Sequence, residues 1–84
     1  MGKKEKLIMR LKNRPRDFSF AEAETLLLML EFERNNKGRT SGSRVMYAHK
    51  EHGHFLLHIP HPGNELRFYQ VKQLIDFLEQ EGLI

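Results

Sequence analysis

Two prolines within three residues, Pro60-His61-Pro62, followed at once by Gly63, constrain this chain more than any other feature. A proline cannot donate to a strand ladder, so no central strand passes through this point. Before it lie two short runs rich in Val, Tyr, Phe, Leu and Ile, residues 44–49 and 54–59, separated by Lys50-Glu51-His52-Gly53. They read as a β-hairpin. After it, Phe68, Val71, Leu74, Ile75 and Leu78 recur at helical spacing until Gly82. A helix over residues 65–81 is expected, with Asn64 as its N-cap and Gly82 as its stop.

The hairpin register is open at this level. If Gly53 takes the left-handed position of a three-residue loop, Val45 and Tyr47 face Ile59 and Leu57 on the core side, together with Phe55. Arg44, Met46, His54, Leu56 and His58 then point the other way, with His58 two positions from directly opposite Arg44. A four-residue loop would reverse the first strand's faces.

Upstream, Leu7, Ile8 and Leu11 predict a short helix ending near Asn13, because Pro15 pushes Arg14 out of helical geometry. Ser19-Phe20-Ala21-Glu22 has the form of a capping box, and Ala23, Leu26, Leu27 and Leu30 follow on one face, giving a second helix over residues 20–31. Residues 32–35 suit a short strand. The polar stretch Asn36-Lys37-Gly38-Arg39-Thr40-Ser41-Gly42-Ser43 reads as a loop. The expected order is helix, helix, strand, strand, strand, helix, an α+β fold with the helices on one face of an antiparallel sheet.

With 84 residues and no cysteine, this is one small domain held by apolar packing, without disulfides, a thiolate zinc site or a thiol nucleophile. No apolar run is long enough to span a bilayer, and the basic start lacks the form of a signal peptide, so a cytoplasmic location is expected. The net charge of +3 conceals a block pattern. Residues 1–16 carry +6, residues 17–33 carry −5, residues 34–50 carry +5 and residues 51–84 carry −3. Two separate basic blocks favour a polyanionic partner, because each Lys or Arg near a phosphate releases counterions.

Three stretches carry a likeness to a known family: Gly42-Ser43 leading into a strand after a basic, glycine-containing loop; Ile59-Pro60-His61-Pro62-Gly63; and the closing helix from Glu65-Leu66 through Leu74-Ile75 and Leu78 to Glu81-Gly82-Leu83-Ile84. In this order and spacing, over about residues 23–84, the chain resembles the HicA family of bacterial type II toxins. The resemblance implies a fold like the double-stranded RNA-binding domain and a single domain over 1–84, residues 1–16 being a basic helical extension of the core. It also implies a metal-independent mRNA interferase, an endoribonuclease without cofactor, restrained by a HicB-like antitoxin protein. The family typically carries Gly-Ser-His at the strand start, whereas this chain reads Gly42-Ser43-Arg44.

That departure has a chemical consequence. Cleavage by the RNA's own 2′-hydroxyl needs a group to accept its proton, which an imidazole near neutral pKa can do. A guanidinium, with a pKa above about 12, cannot, although it binds phosphate bidentately and stabilises transition-state charge. The expected base is therefore His58, with His61 second, and Arg44 is expected to hold the phosphate. Lys37, Arg39, Ser43 and Arg44 are the expected RNA contacts. The alternative is a non-cleaving RNA- or protein-binding module on the same fold. His49, His52 and His54 invite a metal site with Glu51, but with no thiolate and one carboxylate nearby they are read as exposed strand and turn residues, and no metal is expected.

Overall fold

A computed structural model describes residues 2–35, 44–60 and 63–84. The elements are α1 (Lys3–Lys12), α2 (Phe20–Met29), β1 (Glu33–Asn35), β2 (Arg44–His49), β3 (Gly53–His58) and α3 (Phe68–Gln80). The strands form one antiparallel sheet in the order β1-β2-β3. The α+β class and the element order are those expected. The inner sheet face buries Val45, Tyr47 and Leu57 against Leu26 and Leu27 of α2 and Val71, Leu74 and Leu78 of α3. Leu7 and Leu11 of α1 join the same core.

Local chemistry sets most boundaries. Asn13 caps α1, and Arg14 then turns in the left-handed region at φ 51° before Pro15. At the start of α2, the Ser19 hydroxyl accepts from the Glu22 N–H at 3.0 Å while the Glu22 carboxylate accepts from the Ser19 N–H at 3.0 Å, so the capping box is complete. The same carboxylate takes the Arg10 guanidinium at 2.7 Å, fastening α1 to α2. That contact, above all, holds the Glu22 carboxyl below its usual pKa.

Two helices end by the same device. In α3 the Leu83 N–H bonds the Leu78 carbonyl and the Gly82 N–H bonds the Glu79 carbonyl, with Gly82 left-handed at φ 73°. In α2 the Phe32 N–H bonds the Leu27 carbonyl and the Glu31 N–H bonds the Leu28 carbonyl, but the left-handed residue is Glu31 at φ 72°. This early reversal ends α2 at Met29 rather than Glu31 and drops Phe32 into the core. A Cβ in this region costs roughly 1 kcal/mol. Glu31→Gly is therefore expected to stabilise the fold by about that amount, read from the midpoint of urea unfolding.

The sequence expectation differs from the structure at two further points. α3 begins at Phe68, with Arg67 as its cap, rather than at residue 65 with Asn64 as cap. Residues 64–66 are taken by another partner: the Phe20 N–H bonds the Asn64 carbonyl and the Leu66 N–H bonds the Phe18 carbonyl, both at 2.8 Å, around an antiparallel bridge between Ser19 and Glu65. This pairing buries Phe18 and Leu66 and leaves no helical geometry for the residues before Arg67.

The hairpin faces are those expected of the three-residue loop, but the pairing slides by two residues. Val45 lies opposite Leu57, Tyr47 opposite Phe55 and His49 opposite Gly53. Gly53, at φ 79°, is the first residue of β3, and the loop is Lys50-Glu51-His52. Within the turn the Glu51 N–H donates to His49 Nδ1 at 2.9 Å, and His52 Nδ1 meets Glu81 Oε1 at 2.9 Å, tying the tip to the end of α3. Ile59 consequently lies beyond the ladder and is 37% exposed instead of facing Val45.

Candidate nucleic-acid interface

Strand alternation makes the outer sheet face. With Val45, Tyr47 and Leu57 turned inward, β2 presents Arg44, Met46 and Ala48 outward and β3 presents His54, Leu56 and His58. Glu33 and Asn35 of β1 lie across from Ala48 and Met46 on the same side. Met46 and Leu56, directly paired, form a half-buried apolar centre. Arg44 and His58 are both exposed and directly opposite each other at the last rung of the β2–β3 ladder. Cβ atoms in such a pair stand about 5 Å apart.

The slide in register therefore brings this pair closer together than expected. Lys37, Arg39, Ser43 and His61, the other expected site residues, lie outside the described residues.

His58 is anchored through its backbone by a residue that the sequence pattern does not single out. Gln70, only 4% exposed, donates from Nε2 to the His58 carbonyl and accepts at Oε1 from the Arg67 N–H, both at 2.9 Å. One carboxamide thus joins the end of β3 to the start of α3. Phe68, expected on the inner stripe of α3, is 55% exposed, and Gln70 turns inward in its place. The signal available in the sequence is the i, i+4, i+8 alignment of Gln70 with Leu74 and Leu78, with Gln three residues after the cap position.

The remaining histidines occupy the far end of the hairpin. His49 packs against Phe32 with ring centroids 5.0 Å apart, and His52 lies 4.5 Å from His49. His49 Nδ1 accepts the Glu51 N–H, so that lone pair is engaged within the turn. Among the described residues no group of three or more His, Cys, Asp or Glu side chains is arranged to hold a metal ion.

Tyr47 of β2 faces inward. Burial, first, and the Glu24 carboxylate beside it push its hydroxyl pKa well up, while Arg34 acts weakly in the opposite direction. Glu24 is itself held by Arg34 at 3.0 Å. The buried hydroxyl makes no hydrogen bond of full geometry among the described residues. A neutral phenol on the helix side of the sheet cannot serve as a base on the outer face.

Chemically, the outer face supplies a permanent cation and an imidazole side by side, with an apolar patch behind them. That set can hold a phosphodiester and move a proton. No family model matches the chain, and no curated protein or solved structure matches it either. No helix among the described residues is long and apolar enough to cross a membrane.

Proposed function

We propose that this chain is an RNA-directed toxin of the HicA kind, a metal-independent endoribonuclease on a fold like the double-stranded RNA-binding domain, restrained by a HicB-like antitoxin. The single observation that carries the proposal is the Arg44–His58 pair, exposed and cross-strand on the outer sheet face. The arrangement of three helices and three strands and the basic blocks support it.

The chemistry follows from what each group can do. Arg44 binds the non-bridging oxygens of a phosphodiester and offsets the charge that grows on them in the transition state. His58, neutral, takes the proton of the adjacent 2′-hydroxyl as that oxygen attacks phosphorus. The bond from phosphorus to the 5′-oxygen breaks, and the departing oxygen takes a proton from water or from His61. The products are a 2′,3′-cyclic phosphate and a 5′-hydroxyl.

Incubating the purified chain with RNA, with and without chelator, tests this. The expected result is chelator-insensitive cleavage leaving those two ends, and growth arrest when the chain is induced without its antitoxin. Intact RNA under both conditions overturns it. An acidic antitoxin over the same face predicts a complex that weakens as salt is raised.

One observation favours a second reading, a non-cleaving RNA- or protein-binding module: an arginine occupies the position where the resembled family carries histidine. Arg44→His separates the two. A large gain in cleavage from an inactive parent supports the silent module, whereas an active parent that loses activity supports Arg44 as the phosphate clamp.

A further inference from the structure

The pairing of residues 18–20 with 64–66 does more than shorten α3. Just beyond this short pairing the chain turns at Arg16 and Asp17 on one side and enters α3 at Phe68 on the other. Arg16, Leu66, Arg67 and Phe68 line an open cleft of about 420 Å³ at this end of the molecule. Leu66 forms a buried apolar floor, and Phe68 stands 55% exposed.

The ion pairs of the neighbouring helices do not extend into this cleft. Arg10 is neutralised by Glu22 and Asp17, and Arg34 by Glu24. Among the described residues neither Arg16 nor Arg67 forms an ion pair. Asp17, the neighbouring carboxylate, is drawn to Arg10 at 3.1 Å, and Glu65 is the sole acid in residues 64–70. A single exposed aromatic is unremarkable. An exposed aromatic between two unpaired guanidiniums is the composition with which proteins grip single-stranded nucleic acid, the ring stacking on a base and the cations holding phosphates.

The cleft also adjoins the Arg44–His58 rung. The Gln70 carboxamide spans from the Arg67 N–H to the His58 carbonyl, so these backbone groups lie within roughly 8 Å, two hydrogen bonds and one amide apart. Because β3 is an edge strand, a nucleic-acid strand leaving the outer face can pass over that edge to the start of α3.

We propose that the Arg16–Arg67–Phe68 cleft is a subsite for an unpaired nucleotide flanking the phosphate at Arg44 and His58, with its base stacked on Phe68 and its phosphate held by Arg16 and Arg67. This rests on the RNA-directed reading above and deepens it: the substrate is single-stranded at that nucleotide, since a paired base in a duplex has no free face for Phe68.

The chain has no tryptophan, so Phe68→Trp introduces a lone indole reporter at the proposed stacking position. An eight-nucleotide polyuridine RNA, a perfect RNA duplex, inorganic polyphosphate and a poly-glutamate peptide serve as probes. Saturable quenching by the single strand alone is expected. In fluorescence anisotropy with the labelled single strand, Phe68→Ala is expected to weaken binding about tenfold. Arg16→Gln with Arg67→Gln should lower the slope of log K against log salt by about 1.4.

If the single strand binds the unmodified chain but Phe68→Ala binds equally and the indole is not quenched, the subsite is wrong and the RNA-directed function stands. If the unmodified chain binds no RNA, both fall. Quenching by poly-glutamate and not by RNA makes the cleft a protein-docking surface and overturns the subsite.

Discussion

His58→Ala is expected to lower the rate of RNA cleavage by roughly 10²- to 10⁴-fold, the range supplied by a positioned acid–base group. The substitution removes the only imidazole directly across from Arg44 while the backbone carbonyl that Gln70 holds stays in place. The side chain is exposed, so its loss should change stability by less than about 0.5 kcal/mol. A fall in rate without a fall in unfolding midpoint therefore reports chemistry and not folding. Initial rates on a defined RNA, compared with His61→Ala, check the assignment. A His58→Ala protein that cleaves at the parental rate removes this residue as the base, and a His61→Ala protein that alone loses activity transfers the role to His61.

The second large effect concerns Gln70. In Gln70→Leu, of similar volume, the Arg67 N–H and the His58 carbonyl both lose their partner. An orphaned buried polar group costs about 1–3 kcal/mol, but both bonds are only part-buried and water replaces some of what is lost, so a total loss of roughly 1–2 kcal/mol is expected. In a domain of this length that lowers Tm by roughly 4–16 °C. Gln70→Glu refines the test, because a carboxylate still accepts from Arg67 but faces the His58 carbonyl with an acceptor instead of a donor. Both variants should lose cleavage in excess of the unfolded fraction, since the strand end that carries His58 is no longer fixed. Urea unfolding and cleavage measured at a temperature where each variant is folded separate the two effects. A loss under about 0.5 kcal/mol would mean that the Gln70 bonds are not formed in solution.

What the sequence makes legible here is what is local or protected by symmetry. The Ser19–Glu22 box involves groups three residues apart, and Gly82 terminates α3 through bonds within one turn, so both can be read from spacing. The hairpin faces are equally legible, because the side-chain period is two. For the same reason the register is not: sliding the strands by two residues keeps Val45, Tyr47, Phe55 and Leu57 inside while changing every partner. Sequence pattern alone thus puts Arg44 and His58 on one face but leaves them two residues out of line.

The start of α3 is hidden for a different reason. Asn64 has good capping chemistry, but its carbonyl is engaged by Phe20, 44 positions earlier, and only the folded chain reveals that competition. Once residues 64–66 are extended, the inward side of the first turn of α3 falls to Gln70 and Phe68 rotates to solvent. Gln70 and the Arg16–Arg67–Phe68 cleft escape a sequence reading together, since both arise from that one long-range pairing.

The position of the Arg44–His58 rung has a consequence for motion. Ladders fray from their ends, and this rung is the terminal one, on a strand with a neighbour along one side only. Without an outside anchor the histidine would swing with each opening of the strand end, and the gap between it and Arg44 would vary in width. The carboxamide from α3 couples that opening to the helix, so the geometry of the gap persists for as long as the helix start holds, and heating should blunt the proposed cleavage as the helix start loosens, ahead of the collapse of the whole domain.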